Sequence, residues 1–183
     1  MQKWTVPLPK HTKKDYHECY AKIALSQLLS PNYENLIIKD KPDLQFPDRS
    51  SGIEVTQAID SDQQRAERLY TEIHYGLVRS REGAIQEIQN CGCKYENGIL
   101  IGKTGTDSFN LILQAIKAKL EKINKGGYDY FHHYDLFVFS NIYADDIMLK
   151  NALLSMLMLS EKYKLFFEKI LVLVPGSLYV FES

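Results

Sequence analysis

The chain has 183 residues, 45% of them hydrophobic and 25% charged, which suits one soluble globular domain spanning residues 1–183 with a sizeable core. Its 22 Lys and Arg against 23 Asp and Glu leave a formal charge of −1, so no global field draws it to a polyanion and any nucleic-acid contact needs a local basic patch. Three cysteines without a spaced framework exclude a secreted disulfide scaffold, and no apolar run approaches the roughly 20 residues of a bilayer span.

The first residues, with Trp4, Pro7 and Pro9, lack the apolar core of a signal peptide, so a cytoplasmic location is expected. Lys10, His11, Thr12, Lys13 and Lys14 form one basic stretch. A helix is predicted over about residues 14–29, burying Ala21, Ala24, Leu25, Leu28 and Leu29, with Thr12 or Asp15 as cap and Ser30-Pro31-Asn32 as stop. A short extended segment follows at 35–39, and Leu44 and Phe46 alternate with polar neighbours as a strand would. Residues 62–90 read as one kinked helix or two, weakened at Gly76 and Gly83, and Cys91-Gly92-Cys93 as free thiols in a turn. Residues 98–102 read as a short buried strand and 109–124 as a helix stopped by Gly126-Gly127. Residues 135–140 are a near-continuous apolar run, as expected of a central strand covered on both faces, and 170–174 are another. A helix over 145–167 joins them, its methionines serving as core filler, and a last strand covers 178–181. That order predicts an α/β fold: a single three-layer domain with a mixed central sheet flanked by helices.

The chemistry gathers at Asp43, which follows Pro42, and at Glu54 in Gly52-Ile53-Glu54-Val55-Thr56. On a strand, Ile53 and Val55 face one way while Glu54 and Thr56 face the other. A turn through Pro47, Asp48, Arg49, Ser50 and Ser51 folds that strand back towards Asp43. Two converging carboxylates repel unless a proton or a cation intervenes, and oxygen pairs suit a hard divalent ion. The plain alternative is a hairpin carrying two solvated acids.

Pro42-Asp43 with Glu54-Val55-Thr56 resembles the motif of the PD-(D/E)XK nuclease superfamily, the restriction-endonuclease-like fold, over roughly residues 34–58. The resemblance implies metal-dependent hydrolysis of a nucleic-acid phosphodiester, DNA ahead of RNA, by a homodimer. It also implies Mg2+ or Mn2+ held by Asp43, Glu54 and the carbonyl of Val55. Glu18 on the first helix, with Glu34 in reserve, stands where such sites often add a glutamate. The chain departs from the motif at its lysine, where Thr56 stands with Gln57 beside it. Neither carries charge, so Lys39 or Lys41 would have to reach the site, or the chemistry would run without a lysine. A module on the same fold that binds nucleic acid or a protein without cutting is the alternative. A third reading, an unrelated α/β protein, predicts that Asp43 and Glu54 do not converge.

Other features weigh less. Lys117, Lys119, Lys122 and Lys125 stud one helix, more often a solvated face than a patch. Arg65 and Arg68 suit phosphates, or intrahelical pairing with Glu67 and Glu72. Gly98 to Thr104 imitates a phosphate loop but has three residues between its glycines where four are needed. His132 and His133 are adjacent, so on a strand they point apart and do not chelate together. Tyr128, Tyr130, Tyr134 and Tyr143 can stack on bases, though packing is their commoner use.

Overall fold

The structure, a computed structural model, describes residues 16–103, 109–142 and 146–182. The basic stretch at 10–14 and the expected caps Thr12 and Asp15 lie outside these residues, as does Tyr143. The described chain forms two compact units.

The larger unit begins with α1 (Tyr16–Leu28), which buries Ala21, Ala24 and Leu25. A 3-10 turn (Pro31–Asn35) leads to β1 (Ile37–Ile38), β2 (Leu44–Gln45) and β3 (Ser51–Ala58), an antiparallel meander. Leu28 and Leu29, expected in the α1 stripe, are exposed. Helix α4 (Asn110–Asn124) returns the chain to β6 (His133–Ser140), which runs parallel to β3 from Ser51↔His133 to Ala58↔Ser140. Helix α5 (Asp146–Ser160) leads to β7 (Lys169–Val174), parallel to β6, and β8 (Ser177–Glu182) closes the sheet antiparallel to β7. The strand order is β1-β2-β3-β6-β7-β8, so the fold is α/β with a mixed six-stranded sheet.

Side-chain alternation divides the core between the two faces of the sheet. Ile53, Val55, Phe137 and Leu171 pack with Ala21, Ala24 and Leu25 of α1. Leu136, Val138, Ile170 and Val172 pack with Ile112, Ile116, Leu120 and Ile123 of α4 and with Ala152 and Met156 of α5. Glu54, lying between Ile53 and Val55, therefore projects towards α4. Helix α5 stops at Ser160 rather than near 167, because the chain turns there to bury Phe167 and enter β7.

The smaller unit holds α2 (Ser61–His74), α3 (Arg81–Asn90), β4 (Lys94–Glu96) and β5 (Ile99–Ile101). The two helices are separate, each opened by a capping side chain, Asp60 and Ser80. The expected buried strand at 98–102 is instead one arm of a two-stranded hairpin, with Ile99 61% exposed. Asn97 and Gly98 turn it with φ of 51° and 81°, the left-handed pair that a two-residue hairpin loop requires. Arg65 pairs with Glu87 on α3 rather than with Glu67, while Arg68 does pair with Glu72. Lys103 binds Asp60 at 2.8 Å and Asp62 at 3.5 Å, so its charge ties the end of the hairpin to the start of α2. Cys91 and Cys93 are buried free thiols.

Candidate functional site

The site is built where the β2–β3 pairing runs out. The last ladder pairs are Leu44↔Ile53 and Gln45↔Gly52, so Asp43 arrives beside Glu54. There the Asp43 carboxylate replaces the missing strand: Val55 N–H donates to its Oδ2 at 2.7 Å. Gln45 is buried beneath this turn and donates to the carbonyl of Pro42 at 2.9 Å, which fixes the loop carrying Asp43. Opposite, Gly52 leaves room for the loop: a Cβ there would lie 2.3 Å from Pro42 Cγ and 3.1 Å from Phe131 Cγ. Asp48 Oδ1 accepts from both Ser50 N–H and its hydroxyl, closing the turn between the strands.

Glu54 is fully buried. A buried carboxylate is costly unless paired, and its partners come from α4. Lys119 Nζ donates to Glu54 Oε2 at 2.6 Å and to Asp43 Oδ2 at 3.4 Å; Lys122 Nζ reaches Glu54 Oε2 at 3.4 Å. The two acids thus converge, on one ammonium. Lys119 occupies the middle of the α4 stripe, three residues after Ile116 and four before Ile123, which is why its charge is held against the sheet. Among the described residues, the cations that reach the acid pair are these two, and not Lys39 or Lys41.

The second oxygen, Glu54 Oε1, is buried with no hydrogen-bond partner among the described residues, and so is the hydroxyl of Tyr128. Burial first, then the Glu54 charge and hydrogen bonding with its carboxylate, push the Tyr128 phenol well above its ordinary range, so the Tyr128 hydroxyl and Glu54 are within reach of each other although no bond of good geometry joins them. The Lys122 ammonium also stands 5.6 Å from the centre of the Tyr128 ring.

Thr56, two residues after Glu54, projects to the same face by strand alternation. Gln57 turns to the other face, where its Nε2 lies 3.4 Å from His17 Nδ1 on α1. Glu18 also belongs to α1, which packs on the Ile53 and Val55 face, opposite Glu54. His133 pairs with Glu168, and no metal-binding group of three or more His, Cys, Asp or Glu includes it among the described residues.

The oxygens that a magnesium-like ion would have to use here are those of Glu54 and Asp43, which Lys119 already bridges. Glu54 Oε1 is a hard, buried oxygen, and Lys119 joins Glu54 to a second carboxylate, Asp43. Magnesium characteristically takes one or two carboxylates and keeps several waters. No group of three or more His, Cys, Asp or Glu side chains able to hold a metal occurs among the described residues, so water and backbone oxygens would have to complete the set. Of the two Glu54 oxygens, Oε2 is the one that Lys119 and Lys122 engage.

Comparison with protein-family models, curated proteins and solved structures finds no match to this chain, so its functional reading rests on the site itself.

Proposed function

We propose that the chain is a metal-dependent phosphodiesterase acting on nucleic acid, a variant of the restriction-endonuclease-like fold whose lysine is supplied by α4. The supporting observation is the convergence of Asp43 from the β1–β2 turn, Glu54 from β3 and Lys119 from α4, with Glu54 fully buried. The order of a helix, a hairpin carrying the acids, and a connection ending in α4 that returns to a parallel strand is compatible with the resemblance, although α2, α3 and the β4–β5 hairpin are inserted in that connection.

A bound Mg2+ or Mn2+ would supply Lewis acidity and a more acidic water. Asp43 and Glu54 hold the oxygens for it, and Asp43 is locked in place by Val55 N–H. Lys119 would compensate negative charge building on the phosphate, the task for which Thr56 has no charge. In the hydrolysis, oxygen from water bonds to phosphorus and the water gives up a proton to solvent, the bond to the leaving oxygen breaks, and that oxygen takes a proton from solvent. The ion pairs with Lys119 and Lys122 would keep these groups oriented before substrate arrives.

One observation favours the alternative of a binding module without hydrolysis. Two lysines already balance two carboxylates, so the site needs no ion to be neutral. Labelled single- and double-stranded DNA and RNA incubated with Mn2+ separate the readings. Cutting by wild type that disappears in Glu54→Gln and in chelator supports hydrolysis; intact substrate throughout, in folded protein, gives the site to binding alone.

A further inference from the structure

A groove of about 370 Å³ runs between the end of α4 and the segment entering β7. Its walls carry Tyr128, Tyr130, His132, Tyr134, Phe166 and Lys164. Two of these rings are presented to solvent, Tyr130 at 69% and Phe166 at 44% exposure. Tyr130 is set edge-to-face against His132 with centroids 5.7 Å apart. The groove shares a wall with the acid pair: Tyr128 lines it while its hydroxyl is buried beside Glu54, and Lys122 serves both the carboxylate and the Tyr128 ring. Asp129 N–H donates to the Lys41 carbonyl at 3.3 Å, tying the aromatic loop to the turn that carries Asp43.

We propose that this groove seats an unpaired nucleobase, making single-stranded nucleic acid the substrate class; the inference rests on the phosphodiesterase reading of the adjoining site. Every base has a π-face, so exposed aromatic rings bind single strands with little sequence preference. A stacked duplex offers no such face without unstacking. The charge agrees. Glu168, the acid in the groove wall, is engaged by His133, whereas Lys164 makes no ion pair among the described residues and is available to a phosphate. Continuity with the acid pair gives the arrangement its use: a base held at Tyr130 places its own backbone along the wall that leads through Tyr128 and Lys122 to Glu54.

The test is fluorescence anisotropy in chelator, so that binding is read without cleavage. The probes are a labelled oligothymidine, its ribose counterpart, an abasic strand of equal length and a duplex. The expected result is tighter binding of the base-bearing single strands than of abasic strand or duplex. Tyr130→Ala and Phe166→Ala should each weaken the base-bearing strands by about 5- to 100-fold, leave the abasic strand unchanged, and be rescued at the first position by Tyr130→Phe. Equal binding of abasic and base-bearing strands, or alanine variants within twofold of wild type, overturns the proposal, as does failure to bind any strand, which would leave the groove to a protein partner. Selective binding with no cleavage under Mn2+ would sustain the groove and sink only the hydrolytic reading; cleavage with unaltered binding in the groove variants would do the reverse.

Discussion

Lys119→Met is the most informative single change to the fold. The substitution keeps the apolar stem and removes the ammonium that donates to Glu54 at 2.6 Å and to Asp43 at 3.4 Å. Glu54 is fully buried, and its remaining cation, Lys122, stands at 3.4 Å with a side chain 45% exposed, where solvent screening leaves such a pair worth about 1 kcal/mol or less. Removing one partner of a buried ion pair costs about 3–5 kcal/mol. That is a large share of the 5–15 kcal/mol or so that holds a typical domain together. Glu54→Gln in the same chain removes the stranded charge, so the double variant should be more stable than Lys119→Met alone, with an interaction energy of about 2–3 kcal/mol. Urea unfolding of wild type, both single variants and the double variant measures this cycle. Additive single effects, or Lys119→Met within about 0.5 kcal/mol of wild type, would refute the ion pair as the element that makes Glu54 tolerable in the core.

Gly52→Ala should destabilise the larger unit by about 1–3 kcal/mol or more, seen as a lowered thermal midpoint, because its Cβ would fall 2.3 Å from Pro42 Cγ; an unchanged midpoint would contradict the close approach. Burial holds the Asp135 carboxyl above the usual carboxylate range, only partly offset by Ser51 Oγ at 2.8 Å and Lys169 N–H at 3.1 Å. A folded pKa above the unfolded 3.8 means wild type loses stability as pH rises from there through the folded value, so Asp135→Asn should gain on wild type across that window and then level off; a difference constant from pH 3.5 to 7 would contradict it. Asp60 accepts from Asp62 N–H and Gln63 N–H at the start of α2, and Asp60→Ala should cost about 1 kcal/mol, read as faster amide exchange in that first turn. The Asp60 carboxyl is held low, chiefly by Lys103, so what it contributes is present above the ordinary carboxylate pKa and lost as pH falls through the depressed one.

The elements with strong periodicity were legible from the sequence because one face or both had to be buried: α4, β6 and β7 lie close to where their apolar patterns put them. The hairpin at 94–101 was signalled by Asn97-Gly98, a turn dipeptide whose conformational demand outweighs the apolar run beside it. The end of α5 was not legible, since Phe166 and Phe167 continue an apolar tract and only tertiary burial of Phe167 turns the chain out of the helix. Asp43 and Glu54 were visible as a pair, but their cation was hidden among four helix lysines. The signal was positional: Lys119 alone of the four falls inside the stripe of Ile112, Ile116, Leu120 and Ile123, and a lysine in a buried stripe requires an acid opposite. Gln57 could be assigned to the far face by alternation, as found, whereas the burial of Gln45 depends on carbonyls from a loop that no periodicity describes.

The most direct measurement is single-turnover cleavage of a labelled strand under saturating Mn2+ by wild type, Lys119→Met, Glu54→Gln and Thr56→Val, each first shown to be folded. If α4 supplies the lysine, Lys119→Met and Glu54→Gln should both lose at least about 100-fold while Thr56→Val stays near wild type. Wild-type rates in Lys119→Met, or no cleavage by wild type at all, would contradict a phosphodiesterase centred on Asp43, Glu54 and Lys119.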